Sequence, residues 1–73
     1  MIESVTVEVP EGNTYTETSI RSRIIPHLQQ LPHTAFRELQ VVNDRKFVFR
    51  FTGIREFVVF VLEQHYGLKE VSE

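Results

Sequence analysis

The fold is decided by a short run of alternating aromatic residues, Arg45-Lys46-Phe47-Val48-Phe49-Arg50-Phe51. Successive side chains of a β-strand point to opposite faces of its sheet, so the three phenylalanine rings share one face. Val48 and Arg50 lie on the other face, together with Thr52. The run therefore predicts a strand that buries its aromatic face in a core and leaves its second face available to a partner.

Two further strands are predicted on either side of this run. Near the start of the chain, three valines alternate with polar residues and predict a strand over residues 2–9. A second alternation predicts a strand over residues 36–42, and Asn43-Asp44 has the chemistry of a turn. Residues 36–52 are therefore predicted to form a β-hairpin that contains the aromatic run.

The first helix is predicted over residues 15–31, where apolar residues recur at helical spacing. Thr14 and Glu17 have the spacing of a capping box, which would satisfy free backbone donors at the helix start. Pro26 conflicts with an uninterrupted helix, because it lacks a backbone N–H and clashes with the preceding turn. The helix is therefore expected either to kink at Pro26 or to begin late with Ser22 as its cap.

A second helix is predicted over residues 53–66, and Gly67 stands where a glycine commonly ends a helix. Leu68 and Val71 could belong to a short last strand. The helix assignment rests on an apolar line at i, i+3, i+4, i+7, i+8 and i+11, which consists of Ile54, Phe57, Val58, Val61, Leu62 and His65.

The order of these elements predicts one α+β domain that covers residues 1–73. It is β-α-β-β-α with a further short strand, the arrangement of the two-layer ferredoxin-like folds. Two helices would cover one face of an antiparallel sheet, with the third strand central beside the first. The three phenylalanines would then face both helices.

The spacing of these rings is similar to that in the RNA-recognition motif, which stacks bases on aromatic side chains of its third strand. However, Lys46 and Val48 stand where that family has small residues, and the first strand carries no aromatic residue. The opposite face of the sheet is polar. Burying that polar face would cost about 1–3 kcal/mol for each unpaired group. We therefore expect the rings to be buried and do not identify the chain as a member of that family.

The charge is distributed unevenly along the chain, although the net charge is only −2. Residues 21–55 carry seven basic and two acidic residues, and such asymmetry is a hint of an anionic partner. It favours, as an alternative function, a domain that binds RNA or DNA with modest affinity. In the predicted fold the cations divide between two ends, which argues against strong binding. The candidate residues for nucleic acid are Arg21, Arg45, Lys46 and Arg50.

Four residues are candidates for contact with a protein partner. Arg50 and Val48 lie on the open face of the central strand, where Arg50 could instead pair with Glu8 or Glu38. Arg37 and Arg55 are predicted near one end of the domain, where they could bind an anion or an acidic partner. The simpler alternative, which we favour, is that Arg55 pairs with a neighbouring residue or points to water.

The sequence contains no motif for catalysis, for a cofactor or for a metal. Cysteine is absent, which excludes disulfides and thiolate ligands. The three histidines have no metal-ligand spacing. The start of the chain has no signal-peptide pattern, and the longest apolar run has six residues, far fewer than the roughly 20 that cross a bilayer. We therefore expect a cytoplasmic protein that is not an enzyme and binds no membrane.

The function expected from these observations is that of a non-enzymatic interaction or regulatory module. A chain of 73 residues has a thin stability margin, which self-association can increase. We expect it to form a homodimer or to dock on a larger protein, through its open sheet face or an edge strand.

Overall fold

Four antiparallel strands and two helices form an α+β fold in the computed structural model, which describes residues 2–71. The open sheet has the strand order β2-β3-β1-β4. In chain order, the elements are β1 (Glu3–Glu8), α1 (residues 17–29), β2 (Ala35–Asn43), β3 (Lys46–Thr52), α2 (Arg55–Tyr66) and β4 (Lys69–Glu70). The predicted strands and helices are therefore confirmed, each with bounds that differ by one or two residues.

The aromatic run forms β3 at the centre of the sheet, as its alternation predicts. Phe49 lies opposite Val5 of β1 and Leu39 of β2, and all three side chains are buried. The three rings are 0%, 0% and 1% exposed and form the middle of the core, with Phe47 and Phe51 on either side of Phe49. Burial of a phenylalanine side chain contributes about 1.5–3 kcal/mol, so these rings supply much of the stability of the fold.

Helix α1 runs through Pro26 by means of a wider turn. The stretch Ile20–Ile24 has π-helical hydrogen bonding, in which the N–H of Ile25 donates to the carbonyl of Ile20 five residues earlier. Proline cannot donate a hydrogen bond, and the wider turn directly before it accommodates that loss. The prediction of a late start at Ser22 is therefore wrong.

The cap of α1 also differs from the prediction. Thr16, not Thr14, caps the helix, and its hydroxyl accepts a hydrogen bond from the N–H of Ser19 at 3.4 Å. Thr16 is the residue directly before the first helical residue, Glu17, and its extended backbone is typical of this position.

Strand β2 is an edge strand whose pairing with β3 shifts twice. The shifts lie between Phe36 and Glu38 and between Val41 and Asn43, so Arg37 and Val42 each occupy a β-bulge. Uninterrupted alternation over residues 36–42 would place Arg37 on the face of Leu39, and the first bulge prevents this. Phe36 takes that face instead, opposite Phe51.

Helix α2 ends as its sequence predicts, but its exposed side differs from the prediction. Gly67 adopts the left-handed conformation with φ of 67°, and its N–H donates to the carbonyl of Glu63 at 3.1 Å. Ile54, Phe57 and His65 belong to the predicted apolar line, yet all three are exposed. Other side chains of α2 turn towards the sheet, namely Val58, Val61 and Leu62.

Strand β4 completes the sheet beside β1. Lys69 lies opposite Glu8, and the N–H of Val71 donates to the carbonyl of Thr6 at 2.9 Å. The predicted last strand is thus confirmed for Lys69–Glu70, while Ser72 and Glu73 lie outside the described residues. Within residues 2–71, no helix has both the length and the apolar character that a membrane crossing requires.

Candidate interaction surface

The open face of the sheet is polar, and neighbouring side chains cover the apolar residue at its centre. Val48 is the apolar residue at this centre, between Thr6 and Gln40, and it is only 8% exposed. Arg50 is exposed and lies opposite Ser4 on one side and Glu38 on the other. At its centre, the face therefore offers a partner a cation but very little apolar surface.

The other two predicted contact residues, Arg37 and Arg55, do not lie at the centre of the open face. Arg37 is exposed in the first bulge of the edge strand β2. The guanidinium of Arg55, in the first turn of α2, forms an ion pair with the carboxylate of Glu70 on β4. Arg55 therefore serves to join α2 to β4 and does not stand free for an anion.

The four candidate residues for nucleic acid are distributed over several elements. Arg21 on α1 forms an ion pair with Glu17, at 2.9 Å between Nε and Oε2. Arg45 lies in the β2–β3 turn, where its N–H donates to Oδ1 of Asn43 at 2.9 Å. Lys46 and Arg50 lie on the open face, where each has an acidic residue opposite it, Glu8 and Glu38 respectively.

The exposed side of α2 carries three large apolar side chains in one row. Ile54, Phe57 and Phe60 are 57%, 37% and 56% exposed. Phe57 and Phe60 are three residues apart and are neighbours on the helix surface, while Ile54 lies directly before the first helical residue. We call these three residues the α2 apolar row. Single exposed apolar residues are ordinary, but contiguous ones mark interaction surfaces.

Sequence reasoning missed this row because α2 is apolar over most of its circumference. Its sequence from Phe57 to Leu62 contains only apolar residues, so the periodicity alone does not identify the arc that faces the sheet. The signal that was available is the pair Phe57 and Phe60. At about 100° per residue, Phe57 lies about 120° and Phe60 about 180° from the midpoint of Val58 and Leu62, so neither ring lies on the arc that these two residues define.

A second cluster of polar and aromatic side chains joins the ends of the two helices. Nδ1 of His27 on α1 is 2.7 Å from the hydroxyl oxygen of Tyr66, the last residue of α2. The ring of Tyr15 lies edge-on to Tyr66 at 5.9 Å between centroids, and the ring of His65 lies edge-on to His27 at 5.4 Å. Tyr15 and Tyr66 therefore lie at the same end of the fold.

This cluster also changes the acidity of Tyr66. Burial, and to a smaller degree the nearby Tyr15, raises the pKa of its hydroxyl above the ordinary value of 10.0. The described residues form no pocket beside it and bring together no group of three potential metal ligands. The hydrogen bond between His27 and Tyr66 therefore acts as a link between two helices.

Comparison of the chain with protein-family models, with curated proteins and with solved structures finds no match.

Proposed function

We propose that the protein is a non-enzymatic interaction module, which docks on a larger protein or self-associates, and that the α2 apolar row is the contact surface. The observation that carries the proposal is the exposure of Ile54, Phe57 and Phe60 on one side of a helix. Aromatic side chains are enriched at protein interfaces, where they supply large contact areas. Their exposure does not serve the core, which is filled by other residues of α2.

The open sheet face is a weaker candidate for the same function. Val48 offers almost no accessible surface, and the strand residues opposite Arg50 are both polar. Arginine contributes most at an interface when it is surrounded by apolar contacts that exclude water. The exposed row on α2 provides such contacts, and the open face does not.

Site-specific photo-crosslinking tests the proposal. The photoreactive analogue p-benzoylphenylalanine replaces Phe60 in one variant of the full chain and Gln40, on the open face, in a matched variant. We expect a defined adduct from position 60, identified by mass spectrometry and abolished by Phe57→Ser in the same chain. Adducts from position 40 alone would transfer the contact to the open face. The absence of adducts from both positions would contradict the proposal.

Binding of RNA or DNA is a second proposal, which rests on Lys46 and Arg50 being on one face of β3. Both have acidic residues opposite them, and Arg21 is already paired with Glu17. Such compensation weakens the attraction to phosphates, so we rank this function second. An NMR titration with single-stranded RNA and duplex DNA at low salt tests it. Shifts at these residues that disappear on addition of salt would support it.

We also propose that the fold is ferredoxin-like. The support is the element order β-α-β-β-α-β, with β1 and β3 adjacent at the centre of the sheet, which is typical of the split β-α-β arrangement. Interstrand NMR contacts between Val5 and Phe49, and between Val7 and Glu70, test the strand order. The absence of either contact would contradict it.

A further inference from the structure

We infer that the α2 apolar row binds a basic, amphipathic segment of a partner protein, in which apolar residues are flanked by arginine or lysine. This inference rests on the proposed function, because it specifies the partner of the same surface. It is drawn from the charged residues that surround the row.

Two glutamates flank the most exposed ring of the row. Glu56 precedes Phe60 by four residues, and Glu63 follows it by three, so both are its direct neighbours on the helix surface. Phe57 lies on the other side of the same ring. An aromatic ring between two carboxylates is a favourable environment for a guanidinium or ammonium group. The cation can contact the ring face while it pairs with a carboxylate.

These carboxylates have no cation of their own within residues 2–71. The ion pairs in this part of the chain are Arg21 with Glu17 and Arg55 with Glu70, and neither includes Glu56 or Glu63. Arg55, the only arginine of α2, is already engaged with Glu70 of β4. Among the residues of α2 beside the row, the negative charge of these two glutamates is therefore not balanced by an ion pair, and a basic partner would complement it.

A second copy of the chain does not provide this complement through the same surface. In a two-fold dimer the same patch meets itself, so Glu56 and Glu63 of both copies would surround one apolar centre. Four carboxylates would then lie close together without a cation between them, and like charges at an interface oppose association. A partner that brings its own arginine or lysine residues avoids this repulsion.

The size of the row sets the length of the segment. The helical residues Arg55 to Phe60 extend over about 7.5 Å along the helix axis, and Ile54 lies directly before them. Two turns of an amphipathic helix, with apolar residues at helical spacing, cover this length. Basic residues on the flanks of such a helix would reach Glu56 and Glu63.

Three synthetic peptides test the inference in an NMR titration of the full chain. They have the same length and the same leucine positions at helical spacing, and their remaining positions are arginine, glutamine or glutamate. We expect the arginine peptide to shift the amide signals of residues 54–64. We expect the glutamine peptide to bind at least about 5-fold more weakly, since two exposed ion pairs and a cation–ring contact are lost. We expect no binding of the glutamate peptide.

Substitutions in the protein provide the matched control. Glu56→Gln with Glu63→Gln should weaken the arginine peptide about 3- to 10-fold and leave the glutamine peptide unchanged. Glu11→Gln with Glu38→Gln removes the same charge from other exposed positions and should change neither affinity beyond the small effect of net charge.

The possible failures separate the inference from the proposed function. If the glutamine peptide binds α2 as tightly as the arginine peptide, the inference is wrong and the proposed function stands. The same holds if sedimentation shows a dimer that Phe60→Ser dissociates, because a second copy then covers the row. If the arginine peptide leaves residues 54–64 unshifted, and the chain is monomeric with no adduct at position 60, both are wrong.

Discussion

The hydroxyl oxygen of Tyr66 lies 2.7 Å from Nδ1 of His27, and this hydrogen bond joins the last residue of α2 to α1. The carbonyl of Tyr66 also accepts a hydrogen bond from Nδ2 of Asn13, at 3.1 Å, in the loop that precedes α1. Tyr66 thus holds together three segments that are distant in sequence. Its loss should affect the packing of both helices.

Replacement of Tyr66 by phenylalanine should change how stability depends on pH. Since burial raises the pKa of Tyr66, the folded protein keeps this proton at pH values where the unfolded chain has lost it. The free energy of unfolding therefore falls as the pH rises above about 10, the ordinary value. Tyr66→Phe should reduce this alkaline loss, while costing about 1 kcal/mol at pH 7 through the lost hydrogen bond.

Urea unfolding at several values between pH 8 and 11 measures both effects of Tyr66→Phe. Tyr15→Phe is the matched control, because it removes another tyrosine hydroxyl from the same cluster. We expect Tyr15→Phe to retain most of the alkaline loss. An identical alkaline slope in the wild type and in Tyr66→Phe would show that the hydroxyl of Tyr66 is not responsible.

Replacement by alanine should lower the free energy of unfolding strongly at Phe49 and hardly at all at Phe60. Phe49 is fully buried at the centre of the core, so Phe49→Ala should cost about 3–5 kcal/mol in the free energy of unfolding. Phe60 is exposed on α2, so Phe60→Ala should change it by no more than about 0.5 kcal/mol. Circular dichroism during urea unfolding measures both. A large loss with Phe60→Ala would mean that its ring supports the fold and is not reserved for a partner.

Gly53 should tolerate a side chain less well than Gly12. Both have a positive φ, 144° and 91° respectively, which strains any other residue. A Cβ at Gly53 would also lie 2.7 Å from the carbonyl oxygen of His33, whereas nothing lies within 4 Å of one at Gly12. We expect Gly12→Ala to cost about 1 kcal/mol and Gly53→Ala at least about 2 kcal/mol. Equal losses in thermal unfolding would contradict the close approach at Gly53.

The ion pair between Arg55 and Glu70 should be stronger than that between Arg21 and Glu17. The side chains of Arg55 and Glu70 are 42% and 27% exposed, against 51% and 48% for the pair on α1. Less solvent around a pair means weaker screening. Double-mutant cycles with glutamine should give a coupling of up to about 1 kcal/mol for the first pair and about 0.3–0.5 kcal/mol for the second. The reverse order would contradict this prediction.

The sequence predicts the elements whose signals are local. The alternation of Phe47, Phe49 and Phe51 identifies the central strand and its buried face, because three large rings on one face of a strand need the interior of a core. Gly67 ends α2 because the left-handed conformation at that position favours glycine. Such signals depend on a few adjacent residues and need no knowledge of the tertiary structure.

Other features depend on contacts that are distant in sequence. The bulge at Arg37 follows from the pairing of β2 with β3, which alternation along one strand does not contain. The exposure of Phe57 and Phe60 depends on the angle at which α2 lies on the sheet. The ion pair of Arg55 with Glu70 could be predicted only if the position of β4 were known. For Arg50, the sequence leaves two acidic partners open, and the strand register places only Glu38 opposite it.

The two bulges of β2 also affect the tendency of the chain to aggregate at high protein concentration. Strand β2 has nine residues and forms one free edge of the sheet, which makes it a template on which further copies could assemble into a fibre. An incoming strand would have to match Arg37 and Val42, and each bulge breaks a regular ladder. We therefore expect the two bulges to limit the growth of polymers on this edge of the sheet.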